Sequence, residues 1–349
     1  MPTDSRLVDK VAQRVLSESL RLNKGENITI EAWNNGLHFA QRTLVHARRL
    51  GAIPLLLFED EGSYVEGLRG APRDIVGKMG RHEYALLSAT DAYVFIPGPV
   101  LGGSPKLSRE EVVASTSYNS SWYKAAKSAR LRGARLTFGY AGMEMARVLR
   151  KSLAEIVEHQ LKASLVDFRK IRQTGRKLAR EMVRGGKATI MAEDEVLNFE
   201  LGGEEEIDDG MVDRADVVAG NNMTNIPPGY LAKEVRTETV SGAVRLHAPL
   251  PRLGTSVDLR LEFAKGKLKT WKSERNQEWL DALVKRLPDG RRTFSSIVVG
   301  LNPSLSCGYA QDRLVEGAIT LFGLFQGTTK SGSVTVNGRL LVDEGKIIA

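Results

Sequence analysis

The fold is decided by residues 37–58, LHFAQRTLVHARRLGAIPLLLF, which predict a helix followed by a buried strand. The helix has a basic end at Arg48 and Arg49, and Gly51 stops it before the apolar run Ile53–Phe58 begins. A short apolar run of this kind is typical of a strand that is buried on both faces of a parallel sheet. The segment therefore predicts one unit of a layered α/β domain.

The same helix-and-strand unit repeats on both sides of this segment. Apolar residues at helical spacing over 8–22 precede a β-rich run at 27–30. Downstream, residues 84–88 and 123–131 are helical in character, and each is followed by a strand-like run, at 92–96 and 134–138. Strands that alternate with helices indicate βαβ crossovers. We predict an α/β domain over 1–170, with a parallel sheet built from βα units.

The sequence becomes rich in strands and turns after a mostly helical, basic passage at 145–182. The predicted strands lie at 188–191, 196–201, 240–246, 257–263, 296–299, 319–324, 334–336 and 339–342. Asn337-Gly338 is the dipeptide of a type I′ turn, and Asp343-Glu344-Gly345-Lys346 supplies a second turn. We predict a β-rich α+β domain over 171–349, ending in consecutive hairpins.

Size and composition restrict the class of protein. A length of 349 residues suits two domains, and 42% hydrophobic residues suffice for sizeable cores. The chain opens with the polar MPTDSRLVDK and has no apolar stretch near the roughly 18 residues that span a bilayer. Cys307 is the only cysteine, which excludes an intrachain disulfide and a cysteine-based zinc site. We expect a cytoplasmic protein with no membrane partner.

Charge is distributed in two opposed blocks. The net charge is +8, and residues 161–187 hold nine basic side chains against Asp167 and Glu181. Residues 193–216 hold eleven acids against Arg214. We predict that the two blocks compensate each other in space, and that the acidic run at 204–209 is a hydrated surface loop. A role in nucleic-acid binding is the alternative for the basic block.

Local catalytic motifs are missing from the sequence. The zinc-peptidase motif His-Glu-x-x-His is absent, because no histidine follows His82-Glu83 at the required spacing. The five histidines are scattered along the chain: His38, His46, His82, His159 and His247. No Gly-x-Ser-x-Gly motif is present, and Cys307 has no evident base beside it. Nucleophilic acyl transfer therefore has no support in the sequence.

Six segments together carry a family resemblance. They are Leu22–Ile28, Arg81-His82-Glu83 before Asp91-Ala92-Tyr93, Asn225-Ile226-Pro227-Pro228-Gly229, Glu238–Gly242, Gly300-Leu301-Asn302-Pro303 and the glycine-bounded strand Gly317–Gly323. In this order they resemble the aminopeptidase T family, also described as leucyl aminopeptidase-like, over nearly the whole chain. The resemblance implies a parallel-sheet domain followed by a β-rich domain that carries a two-metal centre.

The chain departs from that family at the positions where the metal ligands are expected. A metal-binding glutamate follows the Pro-x-Gly glycine in the family, whereas Tyr230 follows Gly229 here. A second family glutamate falls within 294–297, which reads Phe-Ser-Ser-Ile. The family histidine falls on or near Thr320, and its His-x-Asp has no counterpart because no histidine lies beyond His247. The resemblance thus implies a degenerate metal site.

We expect seven residues to line the cleft that the resemblance implies. They are Pro228, Gly229, Tyr230, Glu238, Asn302, Glu316 and Thr320. Tyr230 is a candidate for hydrogen bonding or stacking with a ligand. No metal ligand and no cofactor are expected. The alternative is a single weak Mg²⁺ or Mn²⁺ site formed by Glu238, Glu316 and Asp312.

The sequence predicts an aminopeptidase-like protein that has lost the two-metal peptidase centre and keeps a cleft for a peptide or small-molecule ligand, or for an altered reaction. One alternative is an active metal-dependent aminopeptidase with ligands at other positions. Another is a basic, non-enzymatic protein that binds RNA or another acidic partner through residues 162–187. The resemblance also implies a homodimer, because members of the family commonly pair.

Overall fold

The computed structural model describes residues 4–72, 75–98, 109–250, 255–286, 292–323, 326–329 and 331–348. The chain divides into two compact units. Unit 1 comprises residues 1–146, 151–165 and 210–227, and unit 2 comprises residues 147–150, 166–209 and 228–349. Residues 210–227 belong to unit 1 and add a strand to its sheet. The two domains over 1–170 and 171–349 stay a prediction.

The secondary structure elements are numbered in chain order. The strands are β1 (Asn27–Trp33), β2 (Ile53–Glu59), β3 (Ala92–Ile96), β4 (Arg132–Leu136), β5 (Lys187–Ala192), β6 (Glu195–Asp208), β7 (Met223–Ile226), β8 (Tyr230–Leu250), β9 (Thr255–Ala264), β10 (Lys267–Ser273), β11 (Phe294–Gly300), β12 (Ile319–Gly323), β13 (Gly327–Thr328), β14 (Ser333–Val336), β15 (Arg339–Asp343) and β16 (Lys346–Ile347). The α-helices are α1 (Ser5–Arg14), α2 (Leu37–Arg49), α3 (Glu61–Gly70), α4 (Arg81–Ser88), α5 (Arg109–Ser128), α6 (Met143–Leu149), α7 (Leu153–Ala163), α8 (Phe168–Glu181), α9 (Arg214–Ala219) and α10 (Gln277–Arg286). A π-helical turn spans Val15–Ser19, and 3₁₀ turns span Asn34–Gly36, Thr137–Tyr140 and Asp312–Leu314.

Unit 1 is built on a parallel sheet, sheet A. In the described part of the chain its five strands run in the order β2-β1-β3-β4-β7. Ile28, Ile30 and Val94 on one face are almost completely buried, and α2 packs against β1 and β2 with α1 against α2. The opposite face carries Glu31, and α4 and α5 pack together beyond it. The predicted parallel domain built from βα units is confirmed.

Two helices of unit 1 differ from the sequence prediction. Helix α5 begins at Arg109 and not near residue 123. Helix α3 was not predicted, since its sequence EGSYVEGLRG contains three glycines, which lower helix propensity. The side chain of Asp60 caps α3 by accepting a 2.8 Å hydrogen bond from the backbone N–H of Ser63. A cap and tertiary packing therefore form a helix that propensity alone disfavours.

Unit 2 contains a large antiparallel sheet, sheet B, so the predicted β-rich second part of the chain is confirmed. The main path of sheet B in the described residues is β11-β12-β13-β8-β6-β5-β14-β15-β16, with β9 on β8 and β10 on β9. Strand β8 has 21 residues and pairs with β6, β9, β11 and β13. The position of β8 therefore determines the positions of four other strands.

The end of the chain forms the two predicted hairpins. Val336 pairs with Arg339 across Asn337 and Gly338, whose φ angles are 50° and 80°. Two consecutive positive φ angles define the type I′ turn that Asn-Gly favours. Asp343 pairs with Lys346 in the next hairpin. Both turn predictions are confirmed.

Helix α8 covers part of sheet B, with contacts to β6 and β8. Its apolar side chains Phe168, Ile171 and Leu178 are each 1% exposed. Asp167 caps the helix by accepting hydrogen bonds from the backbone N–H groups of Arg169 and Lys170. The basic passage at 145–182 is thus helical, as predicted.

None of the helices within the described ranges has the length and apolar character that crossing a bilayer requires.

Candidate functional site

Five of the seven predicted site residues meet at one turn of unit 2. The backbone N–H of Leu301 donates to the carbonyl of Gly229 at 2.9 Å, and Asn302 Nδ2 donates to the carbonyl of Pro228 at 2.8 Å. The backbone N–H of Glu316 donates to the carbonyl of Asn302 at 3.1 Å. These bonds hold the start of β8, where Tyr230 lies, against the segment between β11 and β12.

Gly229 is required at this turn because the backbones approach closely. Its φ angle is +128°, in the region that favours glycine. A Cβ atom at this position would lie 2.8 Å from Cβ and 3.0 Å from the backbone nitrogen of Asn302. Asn302 itself is fully buried. The Pro-x-Gly and Asn-Pro segments are therefore two parts of one packed structure.

Tyr230 is a neutral hydrogen-bond donor in this site. Its hydroxyl donates to Glu206 Oε1 at 2.7 Å, and the guanidinium carbon of Arg313 lies 5.7 Å from its ring centroid. Burial, followed by the charges of Asp208 and Glu206, raises the pKa of Tyr230 well above its ordinary value. The ring keeps part of its exposure to solvent. Tyr230 can therefore contact a ligand and remain protonated.

The acidic run beside Tyr230 is part of a strand, which corrects the prediction of a hydrated loop at 204–209. Residues 204–208 belong to β6 and pair with β8. Lys233 is 4% exposed and its Nζ lies 2.9 Å from Glu205 Oε2. Asp209, directly after the strand, forms an ion pair with Arg172. Cross-strand pairing places these acids in the sheet, where cations offset their charge.

Thr320 lies inside sheet B and has a hydroxyl partner. It is fully buried, and its Oγ1 lies 2.8 Å from Thr328 Oγ1. Thr328 pairs in register with His247, whose Nδ1 lies 3.1 Å from Asp258 Oδ1. The sheet thus places an imidazole and a carboxylate in the same row as Thr320, through cross-strand neighbours that the sequence did not predict.

Glu238 is not brought to the site. It lies eight residues beyond Tyr230 on β8, which corresponds to roughly 25 Å along an extended strand. Its carboxylate is exposed and pairs with Arg236 at 2.9 Å. The structure therefore separates Glu238 from the five residues at the turn.

The alternative of a weak cation site at Glu238, Glu316 and Asp312 does not fit this geometry. Glu238 is remote, and Asp312 Oδ1 accepts a 2.8 Å hydrogen bond from the backbone N–H of Gly308. Over the ranges that the structure describes, no group of three or more His, Cys, Asp or Glu side chains is placed to hold a metal ion.

Helix α8 carries an exposed basic surface, which corrects the prediction that the basic and acidic blocks compensate each other. Its members are Arg169, Lys170, Arg176, Lys177 and Arg180. Apart from the pair of Arg172 and Asp209, the ion pairs of the acidic block within the described residues use cations of other elements, such as Lys233, Arg236 and Arg260. Within the described residues the α8 basic surface has no acidic partner.

Unit 1 contains a polar group that the sequence analysis missed. On sheet A, the hydroxyl of Tyr93 donates to Glu31 Oε2. Nearby, the hydroxyl of Tyr118 on α5 donates to Glu83 Oε1 on α4. Glu31 interrupts the apolar alternation of NITIEAW in β1, and this single acid in a buried strand was the available signal.

Glu31 titrates in an unusual range. Burial is the largest cause and raises the pKa of Glu31 to about 7, and the charges of Glu59 and Glu83 act in the same direction. The hydrogen bond from Tyr93 opposes this shift. The Trp33 side chain also acts against the upward shift of the Glu31 pKa. Its Nε1 nevertheless has no hydrogen-bond partner of normal geometry. Glu31 as a whole residue stays partly accessible to solvent.

Comparison with known proteins supports the fold. No protein-family model matches the chain, and no curated protein sequence matches it. Among solved structures the chain is similar to wild-type AmpT from Thermus thermophilus, with a TM-score of 0.68 and 17% sequence identity. The match covers 99% of this chain and 100% of that chain. The chain therefore has an aminopeptidase-like fold.

The close approach at Gly229 generates a stability prediction. Gly229→Ala should lower the free energy of unfolding by about 2–4 kcal/mol, because the new methyl group meets Asn302 in a strained backbone. Gly338→Ala is the matched control, since Gly338 also has a positive φ but nothing within 4 Å of its Cβ position. That control should cost about 1 kcal/mol. Equal losses in urea unfolding would contradict this account.

The raised pKa of Glu31 generates a pH prediction. Because its folded pKa of about 7 exceeds the unfolded value near 4.5, the protonated form stabilises the folded state below pH 4.5. This contribution is lost as the pH rises toward 7. Glu31→Gln should therefore be more stable than the wild type at pH 8, by roughly 1–3 kcal/mol, and similar to it at pH 4.5.

The matched control for this pH prediction is Glu66→Gln, which changes an exposed glutamate of α3. Its effect on the urea midpoint should not vary between pH 4.5 and pH 8. A Glu31→Gln difference that does not change with pH would refute the near-neutral titration.

Proposed function

We propose that the chain is an aminopeptidase-like protein that has lost the two-metal peptidase centre and binds a peptide or small-molecule ligand around Tyr230. One observation carries the proposal. Where the family resemblance expects the first metal-binding glutamate, Tyr230 presents a protonated hydroxyl that donates to Glu206 at 2.7 Å. A hydroxyl that is already a donor to a carboxylate is a poor ligand for a divalent cation.

The chemistry of a two-metal centre supports this proposal. Two divalent cations about 3.5–4 Å apart need several carboxylates and imidazoles to offset their charge. Thr320, at or near the expected histidine position, is a neutral hydroxyl paired with Thr328. The side chains at both positions are therefore engaged with protein partners and carry no negative charge for a metal.

The polar groups around Tyr230 favour a ligand that carries an amino group. Glu206 is an exposed carboxylate, Asp208 lies opposite Tyr230 on β6, and both raise the pKa of Tyr230. A ligand ammonium would pair with the Glu206 carboxylate, and its adjoining chain would contact the Tyr230 ring beside Arg313. The proposal also includes a cytoplasmic location and a homodimer. Analytical ultracentrifugation would test the homodimer.

The first test is metal content together with peptidase activity. Protein purified without chelator and dialysed against Zn²⁺ and Mn²⁺ should contain no stoichiometric metal by elemental analysis. It should also release no N-terminal residues from leucyl peptides. Two metal equivalents per chain with metal-dependent release would overturn the proposal and establish the active aminopeptidase.

The second test is ligand binding by calorimetry, with unmodified and N-acetylated di- and tripeptides as probes. Tyr230→Phe should weaken binding of the unmodified peptides about five- to tenfold, because the ligand ammonium would lose one hydrogen bond of about 1 kcal/mol to the hydroxyl oxygen, whose own proton is donated to Glu206. Tyr84→Phe, at an exposed tyrosine of unit 1, is the control and should have no effect. Binding that Tyr230→Phe leaves unchanged would place the ligand elsewhere.

A second candidate function is binding of single-stranded RNA at the α8 basic surface. The specific observation is its set of five exposed cations, none of which has an acidic partner in the described residues. Such a surface attracts a polyanion through long-range electrostatics and counterion release. Arg172 is excluded from this surface because it pairs with Asp209.

Charge reversal tests the RNA candidate. Changing Arg169, Lys170 and Arg176 to Glu should abolish retention on a poly(U) column and flatten the salt dependence of binding. The control reverses Lys267, Lys269 and Lys272 on β10, which are exposed in the same unit and give the same change in net charge. If both triple variants lose binding equally, net charge alone explains it and the α8 site is wrong.

A further inference from the structure

The strand order of sheet A in unit 1 has a feature that marks ligand sites in other parallel sheets. Strand β1 is in the interior of the sheet, with β2 on one side and β3 on the other. The chain adds β2 on one side of β1 and then β3 on the other side, so the order in which strands are added reverses between β1 and β3. In open parallel sheets, ligands bind at the carboxyl ends of the strands at such a switch point. A ligand site of unit 1 is therefore expected at the carboxyl halves of β1 and β3.

Three side chains form a row at this position. Glu31 of β1 pairs in register with Phe95 of β3, and Phe95 pairs in register with Arg135 of β4. Residues in register on neighbouring parallel strands share one face of the sheet. All three side chains keep partial exposure to solvent. We name this set the Glu31–Arg135 row.

The two charges of the row do not pair with each other. Two strand spacings separate their backbones by roughly 9–10 Å, with Phe95 between them. In the described residues no cationic side chain pairs with Glu31, and Glu59 and Glu83 add only negative charge nearby. Arg135 stacks over Tyr123, with its guanidinium carbon 5.6 Å from the ring centroid.

One nitrogen of the Arg135 side chain lacks a hydrogen-bond partner. Its Nε is buried without a hydrogen-bond partner, and no carboxylate pairs with it among the side chains that the structure describes, which do not include those of residues 109–116. A buried N–H group without a hydrogen-bond acceptor is costly, because it has lost its contact with water and has gained no partner in return. Among the described side chains, the row therefore has an acid without a cationic partner at one end, a base with an unpaired Nε at the other, and an apolar ring between them.

We propose that the Glu31–Arg135 row binds a small amino carboxylate, with its ammonium group on Glu31 and its carboxylate on Arg135. The guanidinium fork matches a carboxylate in two parallel hydrogen bonds. The carbon chain of the ligand lies on Phe95. Because the two charged side chains start from backbones roughly 9–10 Å apart, a short amino carboxylate suits the span better than a long one.

Isothermal titration calorimetry on the full chain tests the proposal with a graded series of probes. The probes are glycine, β-alanine, 4-aminobutyrate and 6-aminohexanoate, together with butylamine and butyrate, which carry one charge each. β-Alanine or 4-aminobutyrate should bind most tightly, and at least tenfold more tightly than either singly charged analogue. No saturable binding of any amino carboxylate at millimolar concentration overturns the proposal.

Two variants connect each charged group to one end of the ligand. Glu31→Gln should reduce the preference for 4-aminobutyrate over butyrate to near unity, because only the ammonium contact is lost. Arg135→Met should do the same for the preference over butylamine. Lys124→Met removes an exposed cation of α5 and should leave both ratios unchanged. A general structural defect would weaken all probes together and would not change one ratio alone.

The ratios decide the outcome. If Glu31→Gln and Arg135→Met leave both preferences at the wild-type values, the row is not the binding site and the proposal fails. If Arg135→Met does not fold, Arg135→Lys replaces it, since lysine keeps the charge and loses the two-pronged fork. That variant should still lower the preference for 4-aminobutyrate over butylamine.

Discussion

The packing of Asn302 against Gly229 is the constraint on which the rest of unit 2 depends. It fixes the start of β8, and β8 in turn provides pairing partners for β6, β9, β11 and β13. The contact requires a residue without Cβ and a buried amide that donates to the Pro228 carbonyl. An asparagine at full burial is stable only when its polar atoms are satisfied. Sheet B therefore rests on a polar contact and not on apolar burial alone.

The sequence predicted the elements whose signal is local. Apolar runs such as that at 53–58 identified the parallel strands, and Asn337-Gly338 identified a hairpin, because strands and type I′ turns each require particular residues over a short range. The prediction that the run at 53–58 is buried was wrong, because β2 is the edge strand of sheet A and leaves Ile53, Leu55 and Phe58 exposed. It predicted less well where tertiary contacts decide. The first half of β8 was not predicted as a strand because it contains the charged residues Lys233 and Arg236. These residues are accommodated in the sheet because they pair with Glu205 and Glu200 on the neighbouring strand.

The candidate site shows the same division between local and tertiary information. Five of the seven predicted residues meet at one turn because their motifs are packing partners, which an ordered set of motifs can indicate. Glu238 was grouped with them by motif order, yet an extended strand carries it away from Tyr230. Glu31 was missed because one acid in an apolar strand reveals nothing about its neighbours. Its raised pKa comes first from burial and then from the charges of Glu59 and Glu83, which other elements supply.

The two polar regions differ in how their charges are satisfied, and this difference separates their roles. Around Tyr230 the hydroxyl has its acceptor in Glu206, and the acidic strand has cations such as Lys233. A ligand there competes with existing hydrogen bonds, so net affinity depends on exchanging partners of similar strength.

In the Glu31–Arg135 row the opposite charges are held apart by a phenylalanine, and neither has a counterion in the described residues. A ligand that bridges them gives up no existing ion pair, although its ammonium group shares the Glu31 carboxylate with the Tyr93 hydroxyl. The Glu31–Arg135 row should therefore select ligands by length more strictly than the residues around Tyr230 do. The rigid sheet fixes the distance that a ligand must span between its two charged groups.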